Sequence, residues 1–134
     1  ERLVVAPKME ISEHLARHKL ADLFIDTLPC NAHTTASDAL WAGLPVLTCM
    51  GESFASRVAA SLLNAIEMPE LITSSIQEYE ELAIALGNDL QRVQALRHKL
   101  QHNKLTTPLF DSDLFTSNFE SIFLKKIFLK SCFS

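Results

Sequence analysis

Four short apolar runs, Leu3-Val4-Val5-Ala6, Leu23-Phe24-Ile25, Val46-Leu47-Thr48-Cys49 and Leu71-Ile72, punctuate the first half of the chain, and none alternates apolar with polar residues. A strand with one wet face alternates, whereas a continuous apolar run is covered on both faces. Pro7 stops the first run and Asp26-Thr27 the second. Segments of helical period separate the runs. This pattern predicts an α/β fold, a parallel sheet flanked by helices. In such sheets ligands bind beyond the carboxyl ends of the strands, at helix N-termini. The loops to inspect are therefore Pro7 to Glu13, Thr27 to Thr35 and Met50 to Phe54.

The helical segments have recognisable ends. Ser12 is the expected N-cap of a first helix, with Leu15, Ala16 and Leu20 on one side and Glu13–Arg17 as an i,i+4 ion pair. A second helix runs from about Thr35 to Ala42, with Gly43 as C-cap and Pro45 just beyond. Trp41 falls on its apolar face and is assigned to the core. Ser53 or Ala55 opens a third helix carrying Val58, Leu62 and Leu63. From Ser75 helical spacing runs through Tyr79, Leu82 and Leu86, breaks near Gly87-Asn88 and resumes through Val93, Leu96 and Leu100. A last helix from about Asp113 carries Phe115, Phe119, Ile122 and Phe123.

Composition removes several classes of function. A chain of 134 residues fits one domain with one core. Only three glycines occur, Gly43, Gly51 and Gly87, so neither a G-x-G-x-x-G fingerprint nor a Walker A loop can be built. Net charge is −4, which argues against nucleic-acid binding through a basic face. Cys30, Cys49 and Cys132 form no C-x-x-C pair; they read as free, mostly buried thiols of a reducing, cytoplasmic compartment. The stretch Glu1 to Val5 lacks the length and basic lead of a signal peptide and reads as a strand already under way, inside a larger structure.

The second loop is the richest. In Cys30-Asn31-Ala32-His33-Thr34-Thr35-Ala36-Ser37-Asp38, two hydroxyls and an imidazole gather where a helix begins. The dipole and orphan N–H groups of a first turn suit an anion, most plausibly a phosphate. Asp38 lies one turn beyond Thr34-Thr35, where a carboxylate accepts from ribose hydroxyls. The competing reading is simple capping, with Thr34 as N-cap and Asp38 favoured by the dipole. The first loop holds Lys8, Glu13, His14, Arg17 and His18. His14 and His18 stand at metal-pair spacing but lack a third ligand at characteristic spacing. Ser37, His33 and Asp38 hold the letters of a catalytic triad without a nucleophile elbow, so acyl hydrolysis is set aside.

These residues recur in a familiar order. Val5-Ala6-Pro7-Lys8, Glu13-His14, Leu20-Ala21-Asp22, Asp26-Thr27, Asn31-Ala32-His33-Thr34-Thr35, Asp38, Leu40 to Pro45, Gly51-Glu52 and Ser56 to Ser61 follow one another, with Gln77-Glu78-Tyr79 and Thr107 to Phe110 beyond. The string resembles the C-terminal lobe of the O-linked N-acetylglucosamine transferase family, especially its bacterial TPR-containing members, over about residues 3 to 120. The resemblance implies a GT-B glycosyltransferase of two Rossmann-like lobes. This chain is then most of the second lobe, with residues 1–110 as a nucleotide-sugar-binding lobe incomplete at its N-terminus and 111–134 as a C-terminal helix and divergent tail. The donor is UDP-N-acetylglucosamine, the acceptor a Ser or Thr hydroxyl of a protein, and no metal or other cofactor is needed. Carried over, the Ala6 backbone, Lys8, His14 and Arg17 surround uracil and ribose. His33, Thr34 and Thr35 meet the diphosphate, and Asp38 is the ribose carboxylate.

The resemblance also names what is missing: the other GT-B lobe, the TPR repeats, the family's proposed general base and an upstream lysine associated with the leaving phosphate. No catalytic residue is therefore assigned, and the chain alone is expected not to turn over substrate. Three departures stand out: Ala32 replaces a glycine common in relatives, Met9 to Ser12 lengthens the first loop, and the pattern is lost from Phe123 to Ser134. That end reads as a divergent closing helix or as sequence beyond a disrupted reading frame, with a basic amphipathic helix on a membrane as the lesser alternative. The competing functions are a protein O-fucosyl- or glucosyltransferase lobe of the same superfamily, and a non-catalytic remnant that binds a partner.

Overall fold

The computed structural model describes residues 2–131, and side chains up to residue 125. Glu1, residues 132–134 with Cys132, and the side chains of the tail from residue 126 onward lie outside the described residues. The expected parallel sheet is present, with β1 (Phe24–Ile25), β2 (Val46–Cys49) and β3 (Ile72–Thr73) in the order β1-β2-β3. Phe24 pairs with Val46 and Ile25 with Leu47; Thr48 pairs with Ile72 and Cys49 with Thr73. All four residues of the central strand are buried, which is why its sequence shows no polar alternation.

Helices cover both faces. Val46 joins one cluster with Ala36, Ala39 and Leu40 of α2 (Thr34–Ala42), Ala59 and Leu63 of α3 (Val58–Ala65), and Val93, Leu96 and Leu100 of α5 (Leu90–Thr106). Leu47 and Cys49 pack with Tyr79 of α4 (Ile76–Asn88). Successive residues of β2 thus enter different clusters, as the two-residue period of a strand requires. α1 (Ile11–Arg17) packs on α2, and α6 (Ser112–Ser131) closes the chain.

Local chemistry explains the ends. Gly43 takes the left-handed conformation, φ 87°, that terminates α2. Ser75 accepts from the Glu78 N–H while the Glu78 carboxylate accepts from Ser74, a reciprocal cap on α4. The break after Gly87-Asn88 is a fresh cap, Asp89 accepting from the Arg92 N–H.

Several expectations are corrected. Leu3 to Ala6 is not a buried strand: it joins no ladder, and Val4 and Val5 are each 93% exposed. Glu10, not Ser12, occupies the N-cap of α1, and Leu20 points to solvent. Glu13 and Arg17 form no ion pair; Arg17 instead donates to the Pro7 carbonyl at 3.2 Å. Trp41 is 54% exposed, packed edge-on against Phe110 at 5.1 Å. Ser53 caps a single 3₁₀ turn, Phe54–Ser56, before α3 begins. Cys49 is buried as expected, but Cys30 is exposed.

Candidate functional site

The carboxyl ends of β1 and β2 are tied together by one buried acid. Asp26, 4% exposed, accepts from the Thr27 N–H at 2.8 Å and the Ala32 N–H at 2.7 Å through Oδ1, and from the Thr48 hydroxyl at 2.6 Å through Oδ2. Tyr79 donates its hydroxyl to the Asp26 carbonyl at 2.5 Å. Burial first, then the Asp26 and Cys49 charges, pushes the Tyr79 phenol up to about 12. Asn31 extends the brace: its amide donates to the Thr27 and Cys49 carbonyls at 3.1 and 3.4 Å, and its backbone N–H to Ala55 at 3.0 Å. The segment from Asp26 to His33 is thus held at both ends and in the middle. Sequence reasoning gave Asp26, Asn31, Thr48 and Tyr79 no role. A polar Thr48 inside an otherwise apolar run was the one available signal.

This loop delivers the chain to the start of α2. His33, not Thr34, is the N-cap residue, and its side chain makes no cap hydrogen bond. Its Nε2 donates to the Ala55 carbonyl at 3.3 Å, which ties the start of α2 to the turn before α3. The first intrahelical bond runs from the Ser37 N–H to the His33 carbonyl at 3.1 Å. The N–H groups of Thr34, Thr35 and Ala36 therefore precede the ladder, in the region of partial positive charge. This removes the simple capping explanation for Thr34. Both threonines are exposed, and Asp38 is half-buried one turn further along.

A cavity of about 690 Å³ opens beside β1 and is lined by Ala6, His14, Arg17, Thr27, Ala32 and Thr35, with Leu23, Phe24 and Leu44 among its apolar walls. Four of the eight sequence-predicted site residues therefore meet in one place: Ala6, His14, Arg17 and Thr35. Lys8, His33, Thr34 and Asp38 do not line it. Lys8 is exposed, and His33 packs edge-on against Phe54 at 6.1 Å instead. His14 and His18 have ring centroids 4.7 Å apart, and the His18 Nδ1 donates to the His14 carbonyl at 2.8 Å. Among the described residues no group of three His, Cys, Asp or Glu side chains is placed to hold a metal.

An open parallel sheet whose carboxyl edge carries a cavity and an uncapped helix start belongs to the Rossmann-like α/β class. Within that class the assignment is direct: the profile of glycosyl transferase family 41 matches residues 1–119, and the chain belongs to this family. It is 44% identical over 115 residues to a probable UDP-N-acetylglucosamine–peptide N-acetylglucosaminyltransferase of Arabidopsis thaliana, covering 85% of this chain and 12% of that protein. It is 39% identical over 121 residues to the UDP-N-acetylglucosamine–peptide N-acetylglucosaminyltransferase of Caenorhabditis elegans, covering 90% and 10%. A solved mutant O-GlcNAc transferase of Thermobaculum terrenum superposes with a TM-score of 0.79 at 34% identity, over 86% of this chain and 22% of that one. The chain thus spans a small part of each relative.

Proposed function

We propose that this chain is the donor-binding part of a protein O-N-acetylglucosaminyltransferase and holds the nucleotide of UDP-N-acetylglucosamine. The single observation that carries the reading is that Ala6, His14, Arg17 and Thr35, from three separate segments, line one cavity at the start of α2. The Ala6 backbone, Lys8, His14 and Arg17 take the uracil and ribose side. Thr35 and the N–H groups that open α2 take the diphosphate; His33 and Thr34, beside them, and Asp38, for the ribose hydroxyls, are assigned from the resemblance and lie outside the cavity lining. A helix N-terminus and hydroxyl donors stabilise a departing UDP without a metal. On this reading residues 1–110 bind the nucleotide, and the segment 111–134, which contains α6, takes no part in the donor site. The complete cytoplasmic enzyme adds an upstream GT-B lobe and a TPR region, and glycosylates Ser or Thr of proteins.

Calorimetric titration of the chain with UDP and, in parallel, GDP tests this. UDP binding with a matching rise in melting temperature is expected, because a ligand of the folded state stabilises it. Thr35→Ala should weaken UDP about 5- to 10-fold, the scale of one or two lost hydrogen bonds to a charged group. A preference for GDP, or no stabilisation at saturating UDP, overturns the assignment. Turnover by the chain alone is expected to be absent, because a half-cleft neither aligns an acceptor nor excludes water.

A further inference from the structure

α1 and α2 carry a second concavity on the side away from the donor cavity. His14 and Arg17 of α1 line the donor cavity, whereas Ser12, Leu15 and Lys19 line a groove of about 470 Å³ completed by Trp41, Gln101 and Lys104. Lys104 Nζ lies 5.0 Å from the centroid of the Trp41 ring and donates to the Trp41 carbonyl, which uses one of its three protons. Lys19 has no ion-pair partner among the described residues, and no carboxylate lines this groove. Burial first, then the Lys19 charge, lowers the Lys104 pKa, so the two cations repel across the groove. Beyond the indole a smaller hollow of about 350 Å³ is lined by Leu109, Phe110 and Phe115, with Asp111, Ser112 and Thr116 as its polar part. A pair of cations thus flanks an exposed tryptophan, while Asp111 in the adjoining hollow keeps an acidic occupant on the lysine side of the indole.

We propose that this groove docks an acidic peptide segment of a partner protein, its carboxylates on Lys19 and Lys104 and an aromatic or aliphatic side chain on Trp41. Charge complementarity selects the occupant: the chain carries a net charge of −4, so two unneutralised lysines on one groove that holds no carboxylate form a local exception that a carboxylate-bearing segment satisfies. Tryptophan beside cations is the composition of an interface anchor. A lipid surface fits less well, because two cations give little attraction to an anionic bilayer.

Trp41 is the sole tryptophan, so its fluorescence reports this groove and the hollow beside it and nothing else in the chain. The 134-residue chain would be titrated with a synthetic octapeptide of Asp and Glu around two Phe residues, with its Asn/Gln counterpart, and with phosphatidylserine vesicles. A saturable change with the acidic peptide only, weakened by salt, supports the proposal. Lys19→Gln with Lys104→Gln should then lower affinity about tenfold, and Lys19→Gln alone severalfold, for two partly exposed charge pairs. Lys19 is exposed, so the single variant keeps its fold and its result stands whatever the double variant does. No response to the acidic peptide, equal response to its neutral counterpart, stronger response to vesicles, or unchanged affinity in Lys19→Gln overturns it. The outcome is independent of UDP binding.

Discussion

Tyr79 is the only tyrosine, so a single chromophore reports how the sheet edge is braced. Its hydroxyl, on a residue 9% exposed, donates at 2.5 Å to the Asp26 carbonyl at the end of β1. The phenol is neutral when protonated, so a pKa raised to about 12 means the folded chain keeps a proton that the unfolded chain releases near 10. The stabilising contribution is therefore complete below pH 10 and is lost as pH rises towards 12. Tyr79→Phe removes the hydrogen bond and leaves the Asp26 carbonyl without that donor, a cost of about 1–2 kcal/mol. For a domain of this size that lowers the melting temperature by roughly 3–10 °C. Tyrosinate absorbance should titrate near 12 in the folded chain and near 10 in urea. The stability gap between the parent chain and Tyr79→Phe should narrow over the same interval. A folded-state midpoint at 10, or a gap indifferent to alkaline pH, refutes the brace.

Three further outcomes follow from the same contacts. Asp26→Ala leaves the Thr27 and Ala32 N–H groups and the Thr48 hydroxyl without their acceptor; urea unfolding should show a loss of about 3–5 kcal/mol, since each orphaned group costs about 1–3. UDP affinity should fall with it, because the same acid sets the loop entering α2. Gly43→Ala places a Cβ 2.1 Å from the Gln101 Nε2 at φ +87°; an expected loss of about 1–2 kcal/mol should be only partly recovered by adding Gln101→Ala, which relieves the clash but not the backbone. Cys30 is exposed and Cys49 buried, so peptide mapping after alkylation of the folded chain should show Cys30 modified and Cys49 protected until urea is added.

What the sequence made legible was local. Three of the four apolar runs become β1, β2 and β3, because burial on both faces leaves a direct mark on residue choice. Gly43 and Ser75 mark helix ends because their chemistry acts within one turn. Leu3 to Ala6 carries the same mark without joining a ladder, since a strand exists only by pairing with a neighbour and pairing is non-local. Here Val4 and Ala6 line the same cavity as Phe24 and Ile25 but make no ladder with them. Trp41 was misplaced for a geometric reason: one residue past Leu40 on a helix is about 100° round, enough to leave the buried face. Asp26 escaped notice because a buried acid at a strand end reads as a turn residue until its partners, six and twenty-two positions away, are seen.

The two ends of the cavity beside β1 are held very differently, and on the proposed function this bears on how a nucleotide would be gripped. Around the start of α2, Asp26, Asn31 and Ala55 fix the loop through hydrogen bonds to named backbone groups, so the N–H array of Thr34 to Ala36 is in position before any ligand arrives. Groups ordered in advance add affinity without a further entropic cost on binding. Across the cavity, residues 2–8 are exposed and join no sheet, and the Arg17 guanidinium on the Pro7 carbonyl ties them to α1. Closing that side over a base orders chain as well as ligand, which offsets part of the contact energy. In a nucleoside diphosphate the phosphate end would therefore supply most of the net affinity, and the base end would act through fit. On the proposed function, that division would make the loop brace, more than the first segment, the part of the chain whose sequence binding constrains most.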